Sequence, residues 1–473
     1  MKHRAVIIHG IEMIEKELQL SLINRALAKG GEYADIFTEY RKHTALVLED
    51  RKLEKIINGT EAGTGIRLIT RGKTAYAFSN DLSREVLLQA ASEVNRAAAD
   101  KTLPPVMDLL SSRPSVNFPI ELFPDDISIE QKISLVRNAD AVARSLDSRI
   151  KQVTVIYRDS LQKVQISTSD GFISEDDRTY TTIIIQVVAV QEDIIQTAYE
   201  SAGGLVGFEL FENNVIEDLS LKAAKRALMM LTARKAPGGK MPAVISSHAG
   251  GTMIHEAIGH GLEADLAQQG LSVFSNKLGS QVASKLITVV DDSTLPRKRG
   301  SFRFDDEGTP SQRTVLVEHG VLKSYMYDRL SAMKDRTRST GNGRRESYQH
   351  RPIPRMTNTF ITKGTSPAEQ ILLSTEKGLL VEKMGGGQVN TVTGDFVFDV
   401  QEGYLIEKGL KGDPVRGATL TGNGLQILQM IDMVGDDIGF SIGTCGKDAQ
   451  GVPVTDAMPT LRIPEIIVGG AYQ

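Results

Sequence analysis

Two of the eight histidines in this chain bracket a glutamate, in Gly250-Gly251-Thr252-Met253-Ile254-His255-Glu256-Ala257-Ile258-Gly259-His260-Gly261-Leu262-Glu263. Histidines four apart on a helix share one face, and with a glutamate between them they form the common zinc-peptidase arrangement His-Glu-x-x-His. Here the spacing is five. Five residues of a regular α-helix turn through roughly 500°, leaving the second imidazole about 140° from the first and unable to share its metal. A one-residue π-type widening would bring positions i and i+5 back to one side, and such bulges concentrate at functional sites. Gly259 and Gly261, flanking His260, lower the cost of unusual backbone geometry there. The spacing therefore predicts a distorted helix.

A catalytic zinc takes three protein ligands and keeps a fourth position for water, so two histidines leave a vacancy. The single cysteine, Cys445, is the candidate third ligand. It lies 185 residues beyond His260, in Ile442-Gly443-Thr444-Cys445-Gly446-Lys447, where flanking glycines predict a turn. Two imidazoles and a thiolate suit zinc, a borderline-soft cation whose binding deprotonates the thiol. Glu256 is then the general base that takes a proton from water and passes it to a leaving amine. Glu263, one turn past His260, is a candidate supporting carboxylate. Each piece has an ordinary alternative. The string alone also fits a capped helix with a core histidine, a lone buried cysteine is commonly an inert apolar residue, and Glu263 also fits a solvated helix position. His248 is expected to end a strand without binding metal. No Gly-Lys-Ser/Thr follows Gly385-Gly386-Gly387, and Gly63-Thr64-Gly65 lacks the third glycine of a dinucleotide fingerprint, so nucleotide binding is unsupported.

The elements that must position these groups read as α+β. Ile11 to Lys29 repeats apolar residues at helical spacing and stops at Gly30-Gly31. Short strand-like runs follow at roughly 34–40, 43–49, 52–57, 63–70 and 73–79, then a second helix from Ser83 to about Ala99. After a proline-punctuated connection the order recurs: a helix from Ser128 to about Leu146, strands at roughly 151–158, 161–167 and 177–192, and a helix from Val215 to Arg234. Residues 1–236 thus predict an N-terminal domain of helix plus antiparallel-sheet units, with a duplication over 1–100 and 125–235. Residues 240–473, opened by a short strand at Ala243 to Ser247, predict a β-rich C-terminal domain carrying the metal-site helix.

Composition narrows the function class. With 473 residues, 55 basic and 59 acidic side chains and no long run of either sign, the chain lacks the electrostatic footprint of a nucleic-acid binder. One cysteine cannot form an internal disulfide, which suits a reducing compartment. Behind Met1-Lys2-His3-Arg4 the apolar stretch Ala5 to Ile8 is far shorter than a signal h-region, and Gln186 interrupts the most apolar run, Thr181 to Val190. A cytoplasmic location with no membrane segment is the expectation. A chain this long needs no metal to fold, so metal ligands call for a chemical role.

These residues and their surroundings resemble the TldD/PmbA family of bacterial and archaeal metallopeptidases, specifically its TldD branch, over most of the chain. His255 to Asp265 is similar to the family's five-spaced motif with its glycine-rich tail. Asp305-Asp306-Glu307-Gly308-Thr309-Pro310 with Gln312-Arg313-Thr314 resembles a second block, Arg355-Met356-Thr357-Asn358-Thr359 a third, and the Cys445 segment a fourth. Gly63-Thr64-Gly65-Ile66-Arg67 and Gly72 to Ala77 fit the family's first domain. The resemblance implies a zinc peptidase with His255, His260 and Cys445 as ligands and Glu256 as base. It also implies unfolded or extended peptide substrates, and a homodimer or a heterodimer with a PmbA/TldE-like subunit that keeps the fold but lacks the metal motif. The alternative is a non-catalytic peptide-binding or partner subunit with a structural metal. His350, Tyr348 and Arg355, beside the third block, are candidates for stabilising an oxyanion, with ordinary loop roles as the plainer reading.

Overall fold

The computed structural model describes residues 13–98 and 104–470. The basic opening segment, the start of the first helix at Ile11 and the end of the second at Ala99 lie outside the described residues.

The fold is α+β with largely antiparallel sheets. The helix Lys16–Leu27 buries Leu18, Leu22, Ile23 and Ala26, the periodic apolar positions of its sequence. It leads into one seven-stranded sheet that draws on both halves of the N-terminal region. Its long strands run in the order Lys73–Ser79, Lys52–Thr70, Tyr33–Glu49, Ile150–Thr168, Phe172–Gln191 and Ile194–Leu205. The short runs expected from sequence therefore fuse into longer strands. Tyr33–Glu49 continues through Arg41-Lys42-His43 because both of its edges are paired there, to Lys52–Thr70 and to Ile150–Thr168. A ladder closed on both sides tolerates a polar interruption that weakens the sequence signal. The strand Ile194–Leu205, with its polar Gln196 and Glu200 and its Gly203-Gly204 end, gave no such signal. The helices Ile129–Ser145 and Val215–Thr232 pack on each other and on this sheet, around Val136, Ala139, Ala223 and Ala227.

From residue 234 onward two further large sheets, of eight and six strands, enclose a separate buried core, beside a small two-stranded one. In the larger, Lys377–Val389, Gly239–Ile245, Leu461–Gly469, Thr419–Asn423 and Asp395–Glu407 pair in that order, and the last pairs back to the first, so five strands close on themselves. Closure removes edges that would otherwise invite pairing with other chains. The second sheet ends with Asn358–Ile361, Gln450–Met458 and, at its outer edge, Gly439–Lys447. The helical segment 252–262 lies in the core between the sheets, burying Met253, Ile254, Ala257, Ile258 and Leu262.

The Asp305-Asp306-Glu307 block joins the two halves. Glu307 is 2.7 Å from Arg67, and Asp306 is 2.8 Å from Arg178, with all four side chains buried. Gly63 and Gly65 belong to the same junction. A Cβ at Gly63 would stand 2.2 Å from the Tyr348 ring, and one at Gly65 1.9 Å from the Tyr76 hydroxyl. These glycines are required by close approach.

Candidate metal centre

The segment bearing the histidines changes helical type along its length. Thr252–Ile254 is α-helical, His255–Gly259 is a π turn, and His260–Leu262 is a 3-10 turn. The His260 N–H reaches back five residues to the His255 carbonyl. That bond is the widening the five-residue spacing calls for, and it brings the two imidazoles within 5.0 Å, centroid to centroid, with their planes at 88°. The glycines act differently from expectation. Gly259 has ordinary right-handed helical angles, φ −54 and ψ −58, so no unusual conformation needs it. Its role is space: a Cβ there would lie 2.1 Å from Met356 Sδ, and one at Gly261 would lie 2.7 Å from the Phe274 ring.

Cys445 sits in the strand Gly439–Lys447, opposite Val452, and not in a turn; the hairpin turn comes later, at Asp448 and Ala449, both with positive φ. It is 1% exposed, and its Sγ is 3.5 Å from His260 Nε2. Ligand atoms of His255, His260 and Cys445 all lie within 4.8 Å of one another. Donors about 2.0–2.3 Å from a tetrahedral zinc stand roughly 3.3–3.8 Å apart, a range that the 3.5 Å from Cys445 Sγ to His260 Nε2 meets.

The outer nitrogens of both imidazoles are held. His255 Nδ1 is 2.9 Å from Asp456 Oδ1, and His260 Nδ1 is 3.0 Å from Glu263 Oε2. A carboxylate on Nδ1 fixes the ring and leaves Nε2 to coordinate, the usual support of metal-bound histidine. Glu263 is fully buried. Burial alone would raise its carboxyl, but the charges of Lys447, His260 and Arg355 outweigh that and hold it down at about 2. Burial would likewise raise the Cys445 thiol, yet hydrogen bonds and charge from the imidazoles bring it down to about 6. The pocket thus favours thiolate.

Arg355 braces this arrangement from behind. It is fully buried, donates to the carbonyls of Cys445 and Gln450, and lies 3.9 Å from Glu263. Lys447, two residues past the cysteine, is 3.2 Å from Glu263 and 2.7 Å from Asp265. The third sequence block therefore supports the strand of Cys445 and the carboxylate of Glu263. Tyr348 joins a small cluster with Phe37, Val164 and Ile166, and His350 bonds Ser347. His248 is exposed, in a short turn after the strand Gly239–Ile245.

A cleft of about 180 Å³ opens onto His255, Glu256 and Asp456, walled by Ser441 to Thr444 and Lys383. None of His350, Tyr348 and Arg355 lines it. Glu256 is half-buried, next to His255 in the chain, and shares this cleft. A larger hollow of about 1020 Å³, lined by Gln268, Tyr325 and Lys334 among others, includes none of these groups. Sequence reasoning missed Asp456 and Lys383. An isolated aspartate 201 residues from its histidine leaves no pattern in the chain.

Comparison with known proteins agrees with this architecture. Residues 34–99, 123–231 and 238–470 match, in turn, domain 1, the central domain and the C-terminal domain of the PmbA/TldA metallopeptidases. A metalloprotease TldD homologue of Haemophilus influenzae is 37% identical over 93% of both chains. A metalloprotease of Methanocaldococcus jannaschii is 35% identical over 96% of this chain and 98% of its own. Among solved structures, a Thermotoga maritima protein described as a candidate modulator of a DNA gyrase superposes with a TM-score of 0.80, at 21% identity, over 96% of this chain and 99% of that one. TldE from Thermococcus kodakarensis gives 0.74 at 18%, over 96% and 100%. Both share the fold. Over nearly its whole length, then, this chain belongs to the PmbA/TldD family of metallopeptidases, in its TldD branch.

Proposed function

We propose that the chain is a zinc-dependent peptidase that hydrolyses amide bonds of unfolded or extended peptides, with His255, His260 and Cys445 as metal ligands and Glu256 as general base. The observation that carries this reading is the convergence of two carboxylate-held imidazoles and a buried, low-pKa sulfur beside a cleft shared with Glu256. Three ligands suit a catalytic ion; a structural zinc usually has four, and among the described residues no fourth histidine, cysteine or carboxylate joins the group. Zinc, when bound, supplies Lewis acidity to the scissile carbonyl and to the attacking water. The protein's own part follows from placement. Asp456 and Glu263 hold the imidazoles in orientation. Glu256 takes the water's proton and delivers it to the departing amine.

Extended substrates fit the cleft wall. Gly439–Lys447 is the outer strand of its sheet, and Ser441 to Thr444 border the cleft, so a peptide added along this strand would be read through its main chain. Most main-chain groups of a folded protein are already paired, so segments able to add in this way come mainly from unfolded chain. In this reading the working assembly is a homodimer or a pair with a TldE-like subunit, in the cytoplasm; among the described residues no helix is long and apolar enough to cross a membrane. Cleavage of an unstructured peptide by the purified chain, lost with a chelator and restored by zinc, is the test. Zinc-loaded protein, alone and with a TldE-like partner, that leaves such a peptide intact would refute the reading.

A further inference from the structure

A further cavity, of about 270 Å³, lies between the N-terminal sheet and the hairpin that carries Cys445. Its wall presents five guanidinium groups, from Arg41, Arg178, Arg299, Arg344 and Arg345. Only some are neutralised. Arg178 pairs with Asp176 at 3.0 Å and Asp306 at 2.8 Å, and Arg345 lies 3.5 Å from Asp35. Glu346, also on the wall, accepts the Gly451 N–H at 2.6 Å. Asp306 also lines the cavity and its charge favours Arg344, but it is paired directly with Arg178, and among the described residues Arg41, Arg299 and Arg344 have no ion-pair partner of their own.

Arg344 is 3% exposed, and its guanidinium donates from Nη1 to the Met356 carbonyl at 2.7 Å. Arg299 grips the Gly443 carbonyl and Thr444 Oγ1, while its Nε is buried with no partner. Burial, with Arg344, Arg158 and Arg41 nearby, pulls Arg299 down to about 10, and burial lowers Arg344 as well. Guanidinium groups withdrawn from water without a counter-charge are costly, and unfilled donors add to that cost. An anion with two or more oxygens relieves both, because arginine's planar fork matches carboxylate and phosphate bidentately. The volume is below that of pockets for drug-sized ligands, so it suits a small group.

We propose that this cavity binds a small oxyanion, either inorganic phosphate or the terminal carboxylate of a peptide, bridging Arg41, Arg299 and Arg344. Thr444 lines both this cavity and the metal cleft. An anion held by Arg299 would therefore fasten the strand one residue before Cys445. The site stands independently of the peptidase reading.

Calorimetric titration of the zinc-loaded full chain with inorganic phosphate, against chloride at matched ionic strength, is expected to show one saturable site. Arg344→Gln, and separately Arg41→Gln, should each weaken it at least about tenfold. Arg41 is half exposed, so its variant reports even if the buried Arg344 variant folds poorly. A short peptide offered as free acid and as terminal amide separates the sources. Phosphate displacing the acid but not the amide assigns the carboxylate; phosphate binding without such competition assigns the free ion. No saturable phosphate binding, or binding unchanged in Arg41→Gln and in folded Arg344→Gln, overturns the proposal.

Discussion

His255 Nδ1 lies 2.9 Å from Oδ1 of Asp456, a carboxylate 201 residues further along the chain. A carboxylate there favours the tautomer with its proton on Nδ1, which leaves Nε2 free to coordinate. Asp456 is thereby a positioning residue for the proposed ligand set.

Replacing it should cost metal before it costs fold. Asp456→Ala is expected to weaken zinc binding by about 10–100-fold, read by competition with a chromogenic chelator. Unchanged affinity would mean that the His255 ring is held well enough by packing alone.

Cys445→Ser should lower zinc occupancy far more than it lowers the melting temperature of the metal-free chain. The hydroxyl fills nearly the same space but is a poor zinc ligand at neutral pH. Equal zinc content in variant and wild type, by elemental analysis, would remove Cys445 from the site.

Gly259 makes a packing prediction. Because a Cβ would sit 2.1 Å from Met356 Sδ, Gly259→Ala should destabilise by about 1–3 kcal/mol, in the range of overpacked cores. Combined with Met356→Ala, it should cost less than the sum of the two single losses, since the two changes act on one contact. Additive losses in urea unfolding would show that the glycine serves the backbone instead.

The junction between the halves should respond to pH. Burial, and then the charge of Glu307, push the Asp328 carboxyl up to about 7. Its folded value is above its unfolded one, so its contribution to stability is present in full below about pH 4 and lost as pH rises through 7. Asp328 caps the helix Arg329–Asp335 by accepting the Ser331 N–H at 2.7 Å, a bond an asparagine can also accept. Asp328→Asn keeps the cap without the buried charge, and should therefore melt progressively higher than wild type between about pH 5 and 8. A constant difference across that range would contradict the assignment.

Much of this was legible in the sequence, and the failures are physical. The five-residue spacing forced a choice between unrelated histidines and a widened helix, and the π turn at His255–Gly259 is the second. Helices such as Lys16–Leu27 announce themselves through local periodicity. Strand lengths did not, because Tyr33–Glu49 is sustained by partners as far away as residue 168. Asp456 was invisible for the same reason: its meaning comes from a partner distant in sequence. Gly259 was noticed for the wrong property, since a bare sequence shows that a side chain is missing but not what occupies its place. The strand around Cys445 read as a turn because Gly443 and Gly446 are turn formers by composition, whereas pairing with Gln450–Met458 keeps them extended.

The most direct test of the central claim is turnover and metal content measured together in Glu256→Ala. Glu256 shares the cleft with His255 but is not among the converging ligand atoms. A general-base role for Glu256 predicts wild-type zinc per chain and an unchanged melting temperature, with hydrolysis of an unstructured peptide reduced about 10²–10⁴-fold. Full peptidase activity in that variant would contradict it.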